Sequence, residues 1–465
     1  MKDLTQDSIA RHIARMAAPI AIGLLFQTLY FLVDLYFIGP LGGPAIAGVG
    51  VAGNVMFMVL ALTQVLGVGT VALVSHAAGR KDQQAATAVF NQALVLSAVG
   101  CVALLVLGYL TIGPYLHSIS SDAATVHAGQ TYMYWFLPSL ALQFPLIAIG
   151  SALRGIGIVQ PAVSVQMLSV LLNALLAPIL IGGWLTRHGM GVAGAGLASS
   201  LSAVFAVVGL WLYFRRADRY VGVDPAQWRP QFDIWRRILA IGLPSGGEYA
   251  LLFVNAALVY WAIRHFGFAA QAGFGAGSRI MNAVLLPVIA IAFAAGPIAG
   301  QNVGAGRADR VERTFAVAAL MIVVVMVPLT LLLQWSPDAL MRPFTNDPAV
   351  VAAGGQFLRL LSWNFLAQGL IFLCSSMFQG LGNTRPALLS SGCRLLLFAI
   401  PLVWLSNQQG FTVEQVWYLS IATVSVQALA SLTLLRIAFR RLRLNATGEA
   451  DAPPTALQPV PAEEV

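Results

Sequence analysis

The chain has 465 residues, of which 58% are hydrophobic and only 9% charged, and its formal net charge is +8. Soluble globular chains carry roughly 25% charged residues, so this one has too few to cover a surface in water. A soluble enzyme, a nucleic-acid-binding domain and a disordered chain are excluded; a polytopic membrane protein remains. Its 44 glycines fit helices packed closely in lipid.

Twelve apolar segments, each near the roughly 20 residues that span a hydrocarbon core, follow one another along the chain. They lie at 13–38, 46–74, 87–112, 128–152, 160–183, 191–214, 237–263, 270–299, 312–334, 351–379, 386–405 and 414–438. Basic residues gather in alternate connections. Lys2, Arg11 and Arg15 precede the first segment, and Arg80 and Lys81 follow the second. Arg215, Arg216, Arg219, Arg229, Arg236 and Arg237 follow the sixth, Arg307, Arg310 and Arg313 the eighth, and Arg440, Arg441 and Arg443 the last. The intervening loops hold only Arg187, Arg264 and Arg342. By the positive-inside rule both termini and the middle linker are expected in the cytoplasm. The bias toward Ala, Gly and Arg points to a bacterial inner membrane.

A shift of 225 residues superposes the two halves without gaps. Pro19 meets Pro244, Gly42 meets Gly267, Gly48 meets Gly273, and Gly79 meets Gly304. Further on, Gly155, Gly157 and Pro161 meet Gly380, Gly382 and Pro386. Ser8 and Asp233 are expected as equivalent N-caps. A repeat of an even number of helices enters the membrane twice in the same direction, giving two lobes related by an axis along the membrane normal. The expected architecture is all-α, with a six-helix lobe at 1–214, a cytoplasmic linker at 215–236, a second six-helix lobe at 237–443 and a disordered tail at 444–465.

Of the 18 acidic residues, only Asp34 and Glu248 fall inside apolar spans. An ionisable group in hydrocarbon is costly and is expected to face a bundle interior or a watery cavity. Gln27, Tyr30 and Asp34 share one helical stripe by their i, i+3, i+7 spacing. Glu248 follows Pro244-Ser-Gly-Gly, where a missing backbone donor and two glycines favour a bend. Each acid has two readings: a hydrogen-bonded packing residue, or a carboxyl that exchanges a proton or Na⁺ during transport. Asn54, Gln64, Tyr134, Gln143, Asn173, Ser199, Asn364 and Gln368 are intramembrane polar groups available as partners, or as hydrogen bonds between helices. No Walker A, His-Glu-x-x-His, Gly-x-Ser-x-Gly or Cys-x-x-Cys sequence occurs, and the histidines do not cluster. Neither catalysis, a metal site nor a cofactor is expected.

Taken together, these residues resemble the multidrug and toxic compound extrusion (MATE) transporters over about 11–440. The resemblance rests on Pro19 and Asp34 followed by Gly39-Pro-Leu-Gly-Gly-Pro, and on Gly67-Val-Gly-Thr ending at Gly79. It rests also on Gly296-Pro-Ile-Ala-Gly-Gln-Asn, Leu153-Arg-Gly-Ile-Gly157 and Gln379-Gly-Leu-Gly-Asn-Thr-Arg-Pro386. It implies export of cationic amphipathic drugs or metabolites against H⁺ or Na⁺ by a monomer in the lipid bilayer, with no nucleic-acid partner. It also implies that Asp34 is the coupling carboxylate, Asn173 its neighbour, Ser199 a nearby hydroxyl and Pro19 the bend in the first helix. This sequence departs from the family where a second acid is usual: Ala177 stands one turn after Asn173, Gln368 takes an acidic position, and Glu248 falls about one turn early. Those departures favour H⁺ over Na⁺. A lipid-linked saccharide flippase of the same superfamily would need a strongly cationic cavity. An intramembrane enzyme would need a His-centred or paired-carboxylate site.

Overall fold

An apolar segment in lipid must satisfy every backbone N–H and C=O internally, which leaves helices as the economical solution. In the computed structural model the described residues are 1–184, 189–216 and 220–447; side chains at 31–35, 52, 215–216 and 445–447 lie outside them. The first half contains α1 (Ile9–Ile38), α2 (Gly43–Gly79), α3 (Gln83–Ile119), α4 (Ala123–Gly155), α5 (Gln160–Gly182) and α6 (Val192–Arg216). The second contains α7 (Phe232–Ile263), α8 (Gly267–Gly304), α9 (Ala308–Trp335), the short α10 (Pro337–Met341), α11 (Pro348–Leu361), α12 (Asn364–Gly380), α13 (Arg385–Ser406) and α14 (Val413–Thr447). Among the described residues ten helical runs are long and apolar enough to cross a membrane; one, Phe232–Gly304, holds both α7 and α8, and the α11–α12 pair adds a further span.

Two expectations are corrected. The segment at 351–379 is broken, with α11 and α12 meeting at 58°. The break lies at Ser362-Trp363, where Gln334 of α9 donates its amide to Arg359 O at 2.7 Å and to Ser362 Oγ at 2.8 Å, supplying the partners that a broken helix loses. Asp233 is not an N-cap: Gln231 occupies that position, and Asp233 sits in the first turn of α7, where its charge complements the helix dipole.

The repeat is visible in the backbone. Positive φ recurs at the 225-residue offset, at Gly42 and Gly267 (97° and 85°), Lys81 and Gly306 (61° and 70°), and Gly157 and Gly382 (77° and 75°). Close helix crossings recur as well. A Cβ on Gly48 would meet Gly129 N at 2.6 Å, and one on Gly273 would meet Gly354 N at 2.7 Å. Within the first half α2 packs on α4 and α3, α4 on α6, and α5 on α1 and α6; within the second, α8 packs on α9, α11 and α12, and α13 on α7 and α14.

The halves meet where α2 packs on α7 and α8, and α1 on α8. Near the end that bears the N-terminus, α2 and α8 cross backbone to backbone. A Cβ on Gly79 would lie 2.0 Å from Gln301 O, and one on Gly304 would lie 2.1 Å from His76 O. Toward the other end of α2, Gly43, Gly50 and Gly53 face nothing within 4 Å. Residues 2–7 form a strap over the crossing. Lys2 N donates to Ile156 O at 3.0 Å, and Leu4 N to Gln301 Oε1 at 2.9 Å. In return Asn302 Nδ2 donates to Leu4 O at 3.3 Å and Arg307 to Thr5 O at 2.7 Å. Leu4 is wholly buried. Burial alone would raise the Asp3 carboxyl, but hydrogen bonds from Thr5 and the nearby Lys81 and Arg307 hold it below the usual carboxylate range. The linker is fixed to α3 by two buried amides. Asn91 bonds Gly222 O and Asp224 N, while Gln92 bonds Gln227 O, Arg229 O and Gln231 N.

Because backbone lies opposite Gly304, no rotamer relieves a larger side chain there, and overpacking of this kind costs about 1–3 kcal/mol. We expect Gly304→Val to shift the equilibrium away from the closed crossing by roughly tenfold or more. Amide hydrogen exchange at Leu4, held by Gln301, should accelerate accordingly. Unchanged protection of Leu4 would show that the crossing does not hold this end closed.

Candidate functional site

Polar side chains gather at two places inside the helical layers, one in each half. In the first half, α1, α5 and α6 bring together Tyr30, Asn173 and Ser199. The Tyr30 hydroxyl donates to Ser199 Oγ at 2.6 Å, and Asn173 Nδ2 reaches Ser199 Oγ at 3.3 Å and Tyr30 Oη at 3.5 Å. Ser199 Oγ also donates to Ala195 O at 3.1 Å while accepting from both neighbours. Asn173 and Ser199 are buried and Tyr30 is half-buried. Asp34 stands one helical turn beyond Tyr30 on α1; its side chain lies outside the described residues. Gln27, on the same stripe, is exposed. Tyr134 is not brought to this cluster: it is 51% exposed, and its ring stacks on Tyr109 of α3 with centroids 5.7 Å apart. Ala177, one turn after Asn173, is buried.

In the second half Glu248 of α7 points between α12 and α13. Ser375 Oγ donates to Glu248 Oε2 at 2.7 Å, and Ser391 lies beside the same carboxylate. Behind Ser391 the donors run in one direction. Gln427 Nε2 of α14 donates to Ser391 Oγ at 3.0 Å, and Arg394 donates to Gln427 Oε1 at 3.3 Å. The donors thus run from Arg394 through Gln427 to Ser391, which stands beside the carboxylate. Gln368 lies two turns before Ser375 on the same face of α12. Pro19 and Pro244 lie within α1 and α7, and both helices continue through them.

Sequence reasoning singled out neither Ser375 nor Ser391. Each belongs to a pair of adjacent serines in an otherwise apolar helix, Ser375-Ser376 and Ser390-Ser391, and that pairing was the available signal. Arg154 was noted only as part of a glycine-rich motif. It lines a small cavity where α2, α4, α8 and α12 meet.

The family model described as MatE matches residues 19–179 and 244–405, one match in each half. The chain is 24% identical to a FAD transporter of Shewanella oneidensis over 420 residues, covering 88% of this chain and 91% of the relative. It is also 24% identical to the multidrug export protein MepA of Staphylococcus aureus (strain N315) over 432 residues, covering 92% of this chain and 93% of the relative. Its fold matches the outward-facing conformation of a multidrug resistance MATE family transporter of the MOP superfamily, with a TM-score of 0.87 at 23% identity over 95% of this chain and 99% of the other. A MOP superfamily transporter from Pyrococcus furiosus also has a TM-score of 0.87, at 24% identity over 95% of this chain and 98% of the other.

Ser199→Ala removes the acceptor shared by Tyr30 and Asn173. Loss of such a buried hydrogen-bonding group costs about 1–3 kcal/mol. Thermal unfolding in detergent is expected to show a correspondingly lower midpoint than the wild type. An unchanged midpoint would mean that the cluster does not hold α1, α5 and α6 together.

Proposed function

Because this chain belongs to the MatE family, whose members are transporters, we propose that it is a secondary active exporter of cationic amphipathic compounds, driven by exchange against protons. It works as a monomer in the bacterial inner membrane, with both termini cytoplasmic. The distribution of Lys and Arg supports this orientation, and the closed crossing of α2 and α8 then faces the cytoplasm. The multidrug export protein among its relatives supports an amphipathic drug-like substrate.

One observation carries the proposal for coupling: the Tyr30–Ser199–Asn173 cluster lies one turn from the position of Asp34 on a continuous α1. A carboxyl beside hydroxyl and amide groups can accept hydrogen bonds when ionised and donate one when protonated. Protonation of Asp34 from the outer side therefore changes how α1 bonds to α5 and α6. Pro19 gives α1 a point of compliance between that cluster and the strap, because its ring removes one backbone donor. The site offers no second carboxylate on α5, where Ala177 stands, and this favours H⁺ over Na⁺. Glu248, held by Ser375, supplies the negative charge that binds an organic cation in the other lobe.

A second reading of the substrate is favoured by Arg279. It is exposed and lies on the same face of α8 as Pro297, which lines the cavity between the halves. An anionic substrate, such as the dinucleotide of the Shewanella oneidensis relative, would find its counter-charge in the exposed Arg279 guanidinium. Arg279→Ala should then reduce export of FAD and leave export of an organic cation unchanged.

Asp34→Asn is expected to abolish substrate-driven proton movement in proteoliposomes while the protein remains folded. Wild-type rates in that variant would sink the coupling assignment. Glu248→Gln should weaken binding of a fluorescent organic cation about tenfold, the loss of one charged contact. Unchanged affinity would return Glu248 to a packing role.

A further inference from the structure

The cavity between the halves combines one cation with donors that have no carboxylate to serve. It has about 20 Å³ of room, and its lining includes Gln64 and Ser75 of α2, Arg154 of α4, Phe293 of α8, and Ser376 and Gln379 of α12. Arg154 and Gln379 are equivalent in the 225-residue repeat, as are Val68 and Phe293, so the cavity lies on the axis relating the two halves. The halves differ at this point by one charge.

Arg154 donates from one terminal nitrogen to Ser151 Oγ at 2.9 Å, and its guanidinium carbon lies 5.9 Å from the centre of the Phe293 ring. Its Nε is buried with no hydrogen-bond partner. Among the described residues the ion pair within 4.0 Å is Arg443 with Glu312, and no carboxylate approaches Arg154 that closely. Tyr249 lies within electrostatic reach, but a phenol is neutral at physiological pH. The hydroxyl hydrogens of Ser75 and Ser376 go to Ala72 O and Ala292 O. The side-chain N–H groups left to face the cavity come from Arg154, Gln64 and Gln379. Arg154 is half-buried; its guanidinium cannot shed its proton, and a charge largely withdrawn from water is favoured by a partner of opposite sign. Water fills such a space but brings no charge. A cation is repelled, whereas a small anion meets three sets of N–H donors in a confined space.

We propose that this cavity is a halide site, occupied by chloride in the cell, and that the ion bridges the halves when the N-terminal face is closed. Arg154 and Gln64 contribute from the first half and Gln379 from the second. Parting of the halves opens the site and releases the ion. A ligand held only by the closed form stabilises that form by mass action, so chloride sets how readily this face opens. The inference stands apart from the identity of the exported compound and of the coupling ion.

The test uses the purified full-length protein in detergent at constant ionic strength. Sodium gluconate is replaced stepwise by sodium chloride or sodium bromide, and thermal unfolding is followed. We expect a saturable rise of a few degrees with either halide and none with gluconate. Arg154→Gln should lose the halide-dependent part of that rise. Equal midpoints in all three salts would overturn the proposal, and so would a halide shift that survives in Arg154→Gln, which would mark a general salt effect. Should that variant fail to fold, ³⁵Cl line broadening is measured on the wild-type protein and on Gln379→Leu. Broadening that saturates and weakens at least several-fold in Gln379→Leu supports the site; no broadening, or equal broadening in both, refutes it.

Discussion

Two glycines at equivalent places in the repeat, Gly79 and Gly304, let α2 and α8 cross with backbone against backbone. Much of the closed end depends on that approach. With the helices this close, Gln301 can reach across to Gly155 O at 2.9 Å and still receive Leu4 N. His76 can meet Gly380 O at 2.7 Å from the other side. The strap, the small cavity and the pairing of α1 with α8 all occupy space defined by this crossing. A methyl group at either glycine would meet a carbonyl at about 2 Å, so the constraint is steric and local. It is also symmetric, since each half contributes one glycine and accepts the other's.

The backbone repeats more faithfully than the side chains. Along α1 and α7 the 225-residue offset sets Tyr30 against Asn255 and Gly23 against Glu248; along α5 and α13 it sets Asn173 against Phe398 and Gln166 against Ser391. The polar clusters of the two halves are thus built from different positions, with different chemistry, on one scaffold. The first joins hydroxyls and an amide in a neutral network beside an acid. The second bonds Ser375 to Glu248 and runs a chain of donors from Arg394 to Ser391 beside it. Glycines and prolines were kept where the helices must approach or turn, whereas the polar positions diverged. This is why a single offset superposes the fold and fails to superpose the site.

That division also explains what could be read from the sequence. The spans are legible because twenty apolar residues have few alternatives in lipid. The repeat is legible because Gly42, Gly157 and their counterparts hold positive φ, a conformation that few other residues adopt easily. Lys81 takes the same conformation opposite Gly306, and no compositional signal marks it. The break after Leu361 was hidden because no Pro or Gly stands at it; a side chain from α9, Gln334, supplies the missing partners. Asn91 and Gln92 likewise look like ordinary polar residues near a helix start until the linker is seen on their amides. Within the candidate site, Asp34 and Glu248 were found by elimination, since so few acids enter the spans, whereas Asn173 and Ser199 were marked out by the resemblance to MATE transporters. Ser375 and Ser391 were not, because a serine in an apolar helix can equally bond its own backbone.

The strap and Asp34 lie toward opposite ends of one helix. α1 runs unbroken from Ile9 to Ile38, about 45 Å at the helical rise. Its first turns pack with the second half: Ile13, Ala17 and Ile20 share a core with Ala290, Ala294 and Ile298 of α8. Its later turns, through Tyr30, bond to α5 and α6 of the first half. One helix therefore belongs to the closed interface at one end and to a polar cluster at the other, with Pro19 between. A tilt that relaxes the bonds at Tyr30 must either be absorbed at Pro19 or be passed to the strap, because buried side chains at close-packed density leave little room to slide. The alternatives differ in which end moves, and the glycine crossing resists movement at the strap. Compliance at Pro19 is therefore the cheaper response, and the strap moves only when the crossing itself gives way.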